Sequence, residues 1–155
     1  MESSEIKFKT PGATGRFLDF EVELDRTSST LEETKIKVVI KAESINTKNN
    51  LRDDHLRDED FFNVGKYPDI VFTSSKSELS EKGYNAVGTL ELIGNKKPIT
   101  ISYSYNGKGK LEDGREFLAF RGEVTFDRYE YGMRPVAMTE AEVTLSFRLE
   151  LVKKN

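Results

Sequence analysis

The chain reads as an all-β protein built on an antiparallel sheet that must hide one apolar face. Apolar and polar residues alternate with period two through most of its length, the signature of strands buried on one side. Nearly every such run has one apolar and one polar face, which fits an antiparallel sheet wetted on one side. Short turn sequences such as Gly94-Asn95-Lys96 and Glu112-Asp113-Gly114 join long runs and predict hairpins. A sheet of this kind closes into a barrel or folds into a sandwich.

The C-terminal run is the clearest. Val143, Leu145, Phe147, Leu149 and Leu151 oppose Glu142, Thr144, Ser146, Arg148 and Glu150. A second strand sets Leu18, Phe20, Val22 and Leu24 against Asp19, Glu21, Glu23 and Asp25. A third sets Ile36, Val38 and Ile40 against Lys35, Lys37 and Lys41. Weaker alternation predicts strands near Ile6–Lys9, Ile70–Ser75, Ala86–Ile93, Ile99–Tyr105 and Phe117–Phe126, making eight in all. One stretch, Asn46 to Asn63, is charged and lacks alternation. It reads as a short helical excursion between strands three and four. Asn50 is the expected cap with Asp53 as its partner, and Asp58 starts a second turn presenting Phe61 and Phe62.

Composition narrows the class. The 155 residues fit one domain, 1–155, with no repeat or linker to divide it. Lys and Arg number 24 against 27 Asp and Glu, so no cationic surplus exists to hold a nucleic-acid backbone. Arg52 to Asp60 alone carries the whole net charge of -3. There is no Cys, hence no disulfide and no thiolate metal site. His55 is the single histidine; with Asp53, Asp54 and Asp58 it falls short of the usual zinc set, and the run lacks the Gly of a calcium loop. No apolar run is long enough for a spanning helix, so stable membrane insertion is not expected. With Met1 as the native start the location would be cytoplasmic. With a leader removed it would be periplasmic or secreted.

The excursion and its flank, SINTKNNLRDDHLRDEDFFNVGKYPDIVFTS from Ser44 to Ser74, closely resemble the signature of the YceI family, bacterial lipocalin-like proteins described as polyisoprenoid-binding. Thr47, Asn49, Arg52, Asp53, His55, Leu56, Arg57, Asp60, Phe61, Phe62, Tyr67, Pro68, Ile70, Phe72 and Ser74 match its pattern without a gap. GTLELIGNKKPITI and GEVTFDRYEYGM resemble two later family segments. Asp58 and Asn63 depart from the family's Ser and Asp, and Asp127, Glu130 and Tyr131 replace its Asn, Asp and Phe. The resemblance implies an eight-stranded antiparallel lipocalin-like β-barrel with a long isoprenoid chain in its pore. It brings no catalytic residues and no cofactor other than the bound lipid.

Candidate ligand-binding positions follow. Leu18, Phe20, Phe72, Leu90, Leu92, Phe120 and Phe147 are inward positions in the lumen. Tyr103 and Tyr105 share the inward face of the sixth strand, either offering hydroxyls to a ligand or lying at the rim. The acidic excursion reads first as a solvated cap whose Arg and Asp residues pair locally; the sharper alternative is a lid over the mouth, with Phe61, Phe62 and Tyr67 packing on the guest. A charged head would be met by Lys96, Lys97, Arg128 or Arg134. Small inward residues, Ser74, Ala86, Gly88 and Gly122, would leave room for a guest or mark bulges. The function expected is carriage of an isoprenoid or related amphiphilic lipid by a monomer or homodimer. The alternatives are a fatty acid, fatty amide or quinone in the same lumen, and a filled barrel that binds a protein through Phe17 and Val39 on its outer face. An enzyme inside the barrel is a further rival, but no nucleophile elbow or nucleotide loop is present.

Overall fold

In the computed structural model, which describes residues 4–10, 13–25, 35–59, 61–81, 83–132 and 142–152, the alternating runs form one strongly curled antiparallel sheet. In chain order the strands are β1 (Glu5–Thr10), β2 (Ala13–Phe17), β3 (Phe20–Asp25), β4 (Lys35–Lys41), β5 (Ile45–Asn46), β6 (Asp69–Ser80), β7 (Gly83–Leu92), β8 (Asn95–Lys110), β9 (Glu116–Asp127) and β10 (Glu142–Val152). The helix α1 spans Asn50–Arg57, and 3-10 turns cover Ala42–Ser44 and Arg128–Tyr131.

The described residues thus hold ten strands where eight were expected, and α1 follows the fifth strand instead of the third. The two extra strands had no alternation to reveal them. β2 reads Ala-Thr-Gly-Arg-Phe, and β5 is two residues long. The helix cap also differs. Asn49 is the capping residue, its Oδ1 accepting from the Arg52 N–H at 3.1 Å, and Asn50 is already helical.

Strand order explains the curl. The sheet runs β3-β4-β6-β7-β8-β9-β10-β1-β2-β5. Its two margins, β3-β4 and β2-β5, are joined by Leu18–Asp19 and again by Ala42–Ser44. Such short links force the margins together. The Leu18 N–H donates to Ser44 O at 3.2 Å and the Lys41 N–H to Asp19 O at 2.9 Å, stitching the seam. The stitch covers one end only. Along β3, the only partner strand among the described residues is β4.

The bend resets the side-chain parity. Phe17 and Phe20 both turn inward, so Phe17 is buried and Leu18 is 62% exposed. This reverses both expectations for that pair. Alternation then holds along β3, with Phe20, Val22 and Leu24 packed on the core.

Two register shifts help the long strands curve: Ser75 is the extra residue of β6, and Asn106-Gly107 oppose a single residue of β9. Gly88 and Gly122 allow strands to approach instead of making room for a guest. A Cβ on Gly122 would meet the Ser102 carbonyl and the Phe147 ring, and one on Gly88 would meet the Thr73–Ser74 backbone. Ser74 has a structural task too, accepting from the Ile36 N–H at 2.7 Å.

These contacts predict that Gly122→Ala overpacks the wall and loses about 1–3 kcal/mol of stability. Gly65→Ala, where a Cβ meets nothing within 4 Å, should be neutral or slightly stabilising. Urea midpoints of the two variants check the contrast.

Candidate functional site

The inward face of the curled sheet encloses an apolar cavity of about 90 Å³, walled by β1, β3, β4 and β6 to β10. Among the described residues its wall has no charged side chain, and Tyr103 alone brings a polar side-chain atom to it. Period-two alternation produces this wall directly, because each strand contributes every second residue.

Of the lumen residues expected from sequence, Phe72, Leu90, Tyr103, Phe120 and Phe147 line the cavity. Phe20 packs on the same core but lies off the wall, and Leu92 is fully buried. Leu18 is excluded by the bend. Tyr105 is 39% exposed, with its ring 5.6 Å from that of Phe120, so it lies at the rim. The aliphatic wall of β3 and β4, Val22, Leu24, Ile36 and Val38, is half-buried along the side where β3 has no outer neighbour among the described residues. The alternation of Val22 and Leu24 with Glu21 and Glu23, and of Ile36 and Val38 with Lys35 and Lys37, marks this wall in the sequence.

The two ends of the lumen differ. At the α1 end Ala42, Ile45, Phe61, Leu92 and Tyr131 are all buried. Burial, with Glu130 adding to it, raises the Tyr131 phenol above its ordinary pKa. Phe61 has the His55 ring edge-on at 5.0 Å, and Phe62 meets Phe17 edge-on at 6.0 Å. Tyr67 packs beside Gly94. None of the three aromatics expected as a lid touches the cavity; they plug a filled end. At the opposite end Leu79 is 68% exposed, two residues past buried Ser77, and forms an apolar rim with Tyr105.

Arg128 is also displaced from its expected role. It is 5% exposed, with its guanidinium 4.8 Å from the Tyr129 ring and 5.6 Å from that of Phe61. A charge stacked between rings at the filled end is in no position to meet a head group at the rim. Lys96 and Lys97 are exposed at that same end, where Asn95 Nδ2 donates to Tyr131 O at 2.6 Å. Arg134 and Asp60 lie outside the described residues.

The acidic excursion is a clamp. Asp53, 4% exposed, accepts from the Thr47 N–H at 2.9 Å and from Thr47 Oγ1 at 2.5 Å. Arg52 donates to Thr47 Oγ1 at 2.8 Å and Thr47 O at 3.0 Å. Arg57 donates to Glu43 O at 2.8 Å, Ile45 O at 3.1 Å and Asp54 Oδ1 at 3.1 Å. The motif residues thus satisfy the backbone of β5 and of the 3-10 turn before it, groups no strand ladder reaches. His55 is exposed, 3.8 Å from the Asp58 carboxylate. Among the described residues no group of three or more His, Cys, Asp or Glu is arranged to hold a metal ion.

A mostly-β chain with a strongly curled sheet, one clamped helix and an apolar lumen has the features of a lipocalin-like fold. The YceI-like domain model matches residues 1–151, and the chain belongs to that family. A UPF0312 protein of Pseudomonas putida is 32% identical over 141 residues, 90% of this chain and 73% of that protein. The crystal structure of the Campylobacter jejuni YceI protein superposes with a TM-score of 0.80 at 30% identity, over 91% of this chain and 85% of that one. A polyisoprenoid binding domain from Saccharophagus degradans, implicated in plant cell wall breakdown, superposes with a TM-score of 0.67. It is 16% identical and covers 97% of this chain and 95% of its own, a likeness of fold.

The clamp is testable. Asp53→Ala strands two buried Thr47 donors and should cost about 1–3 kcal/mol. Asp54→Ala, whose side chain is 76% exposed, should cost under about 1 kcal/mol. Thermal or urea unfolding of both variants gives the comparison.

Proposed function

We propose that this protein holds the apolar chain of a lipid, with a long isoprenoid as first candidate, in the lumen of the curled sheet, as a carrier rather than a catalyst. The observation that supports it most directly is the cavity wall: eight strands contribute to it, yet among the described residues no charged side chain does. Membership of the YceI-like family and the fold shared with a polyisoprenoid binding domain agree with this reading.

The cavity of about 90 Å³ is smaller than such a tail, so uptake requires the wall to give. The β3–β4 side, half-buried and with no strand beyond β3 among the described residues, is the weakest part of it. Each five-carbon unit taken in contributes at most about 4 kcal/mol at roughly 0.8 per carbon, less the cost of ordering the chain. Affinity should therefore rise with chain length until the tail outgrows the lumen.

Native mass spectrometry of freshly purified protein, followed by solvent extraction, tests the reading. The expected result is an adduct whose extracted mass is that of a prenyl lipid, or uptake of added prenyl chains in order of length. Ala86 lines the cavity at 2% exposure, and Ala86→Phe should abolish uptake by filling it. A bare protein that takes up no chain of any length would overturn carriage and favour a filled barrel acting through its surface.

A further inference from the structure

One cavity-lining residue carries a hydroxyl, and a second hydroxyl is buried directly behind it, off the wall. Tyr103 lines the cavity at 6% exposure, and its hydroxyl donates to Ser77 Oγ at 2.9 Å. Ser77 is 3% exposed. The phenol is held firmly: its ring stacks on Tyr84 at 5.4 Å and meets the edge of Phe120 at 5.9 Å. The other inward serine of β6, Ser74, is explained by its bond to the Ile36 N–H. Ser77 bonds no backbone group among the described residues. Among the described residues its one side-chain hydrogen bond is the one it accepts from Tyr103, so its own proton remains to be donated. Burying such a donor costs free energy unless an acceptor is supplied.

We infer that the Ser77–Tyr103 pair receives the polar end of the ligand, and that this end is a single uncharged oxygen, an alcohol or a carbonyl. This rests on the carriage reading above and adds the head-group class to it. An uncharged oxygen accepts from Ser77 and loses little on leaving water. A diphosphate or carboxylate in the same place would be stripped of water beside a wall that has no counter-charge among the described residues. Its charge would stay outside the rim, holding the tail short of full depth. The pair lies toward the exposed-rim end, since Ser77 is two residues from exposed Leu79 and Tyr103 is two residues from half-exposed Tyr105. The ligand therefore enters tail first, its oxygen stopping at the hydroxyl pair and its chain running toward Phe72 and Leu90.

Three probes that share one branched tail test this: phytol, phytyl diphosphate and the hydrocarbon phytane, measured by displacement of a fluorescent lipid. Phytol should bind the unmodified protein roughly 2- to 10-fold tighter than phytane, the worth of one neutral hydrogen bond. Phytyl diphosphate should bind more weakly than phytol. In the double variant S77A/Y103F, both hydroxyls are removed together so that neither is stranded, and the phytol-to-phytane ratio should fall to about one. A denaturation midpoint on the same sample reports its fold. Equal binding of phytol and phytane by the unmodified protein would overturn the head-group assignment and leave carriage standing. Tighter binding of the diphosphate would also overturn it, pointing to a cationic receptor at the rim. Failure of all three probes to bind would bring down the carriage reading itself.

Discussion

The seam at Leu18–Asp19 and Ala42–Ser44 is the constraint on which the rest of the structure depends. A sheet with one apolar face is stable only when that face is removed from water. Here the chain crosses between the two margins of the sheet twice, by links of two and three residues, so the sheet has no option but to curl onto itself. The lumen is a consequence of that closure. Its apolar wall comes from the alternation of the strands, and its depth comes from their length, 16 residues in β8 and 12 in β6 and β9.

The clamp around α1 belongs to the same constraint. Where the chain turns through the seam, strand pairing stops, and the carbonyls of Glu43, Ile45 and Thr47 need donors from elsewhere. Arg52 and Arg57 supply them, while Asp53 takes up the Thr47 donors. The acidic, charge-rich stretch that stands out in the sequence is therefore part of the structural frame, and its charge concentration is local to one end of the molecule. The local pairing of Arg57 with Asp54 fits a cap, and the buried Asp53–Thr47 contact makes that cap part of the frame.

What was legible in the sequence was whatever repeats. Phe72, Leu90, Phe120 and Phe147 could be placed inside because each belongs to a run that obeys period two over several residues. Leu18 and Phe17 could not, because one bend exchanges inside and outside, and nothing in the residue types marks a change of parity. β5 was invisible for a related reason: two residues cannot display a period. Arg128 failed differently. A basic residue near a predicted mouth suggests solvent and anions, but stacking on Phe61 and Tyr129 lets a guanidinium be buried where an ammonium would be costly. Ser77 escaped notice because a lone serine in a strand carries no signal until its neighbours across the sheet are known.

The outer edge of β3, which has no partner strand among the described residues, has a bearing on how copies of this protein meet. A strand edge with unused N–H and C=O groups is a template for pairing with a second chain, and proteins survive it by making such pairing unfavourable. On β3 the outward positions Glu21 and Glu23 are both acidic and exposed. Two copies aligning edge to edge, antiparallel, would bring these carboxylates opposite their counterparts, a like-charge arrangement that destabilises a cross-strand pair. The alternation that makes β3 a wall of the lumen on one face therefore guards it against aggregation on the other.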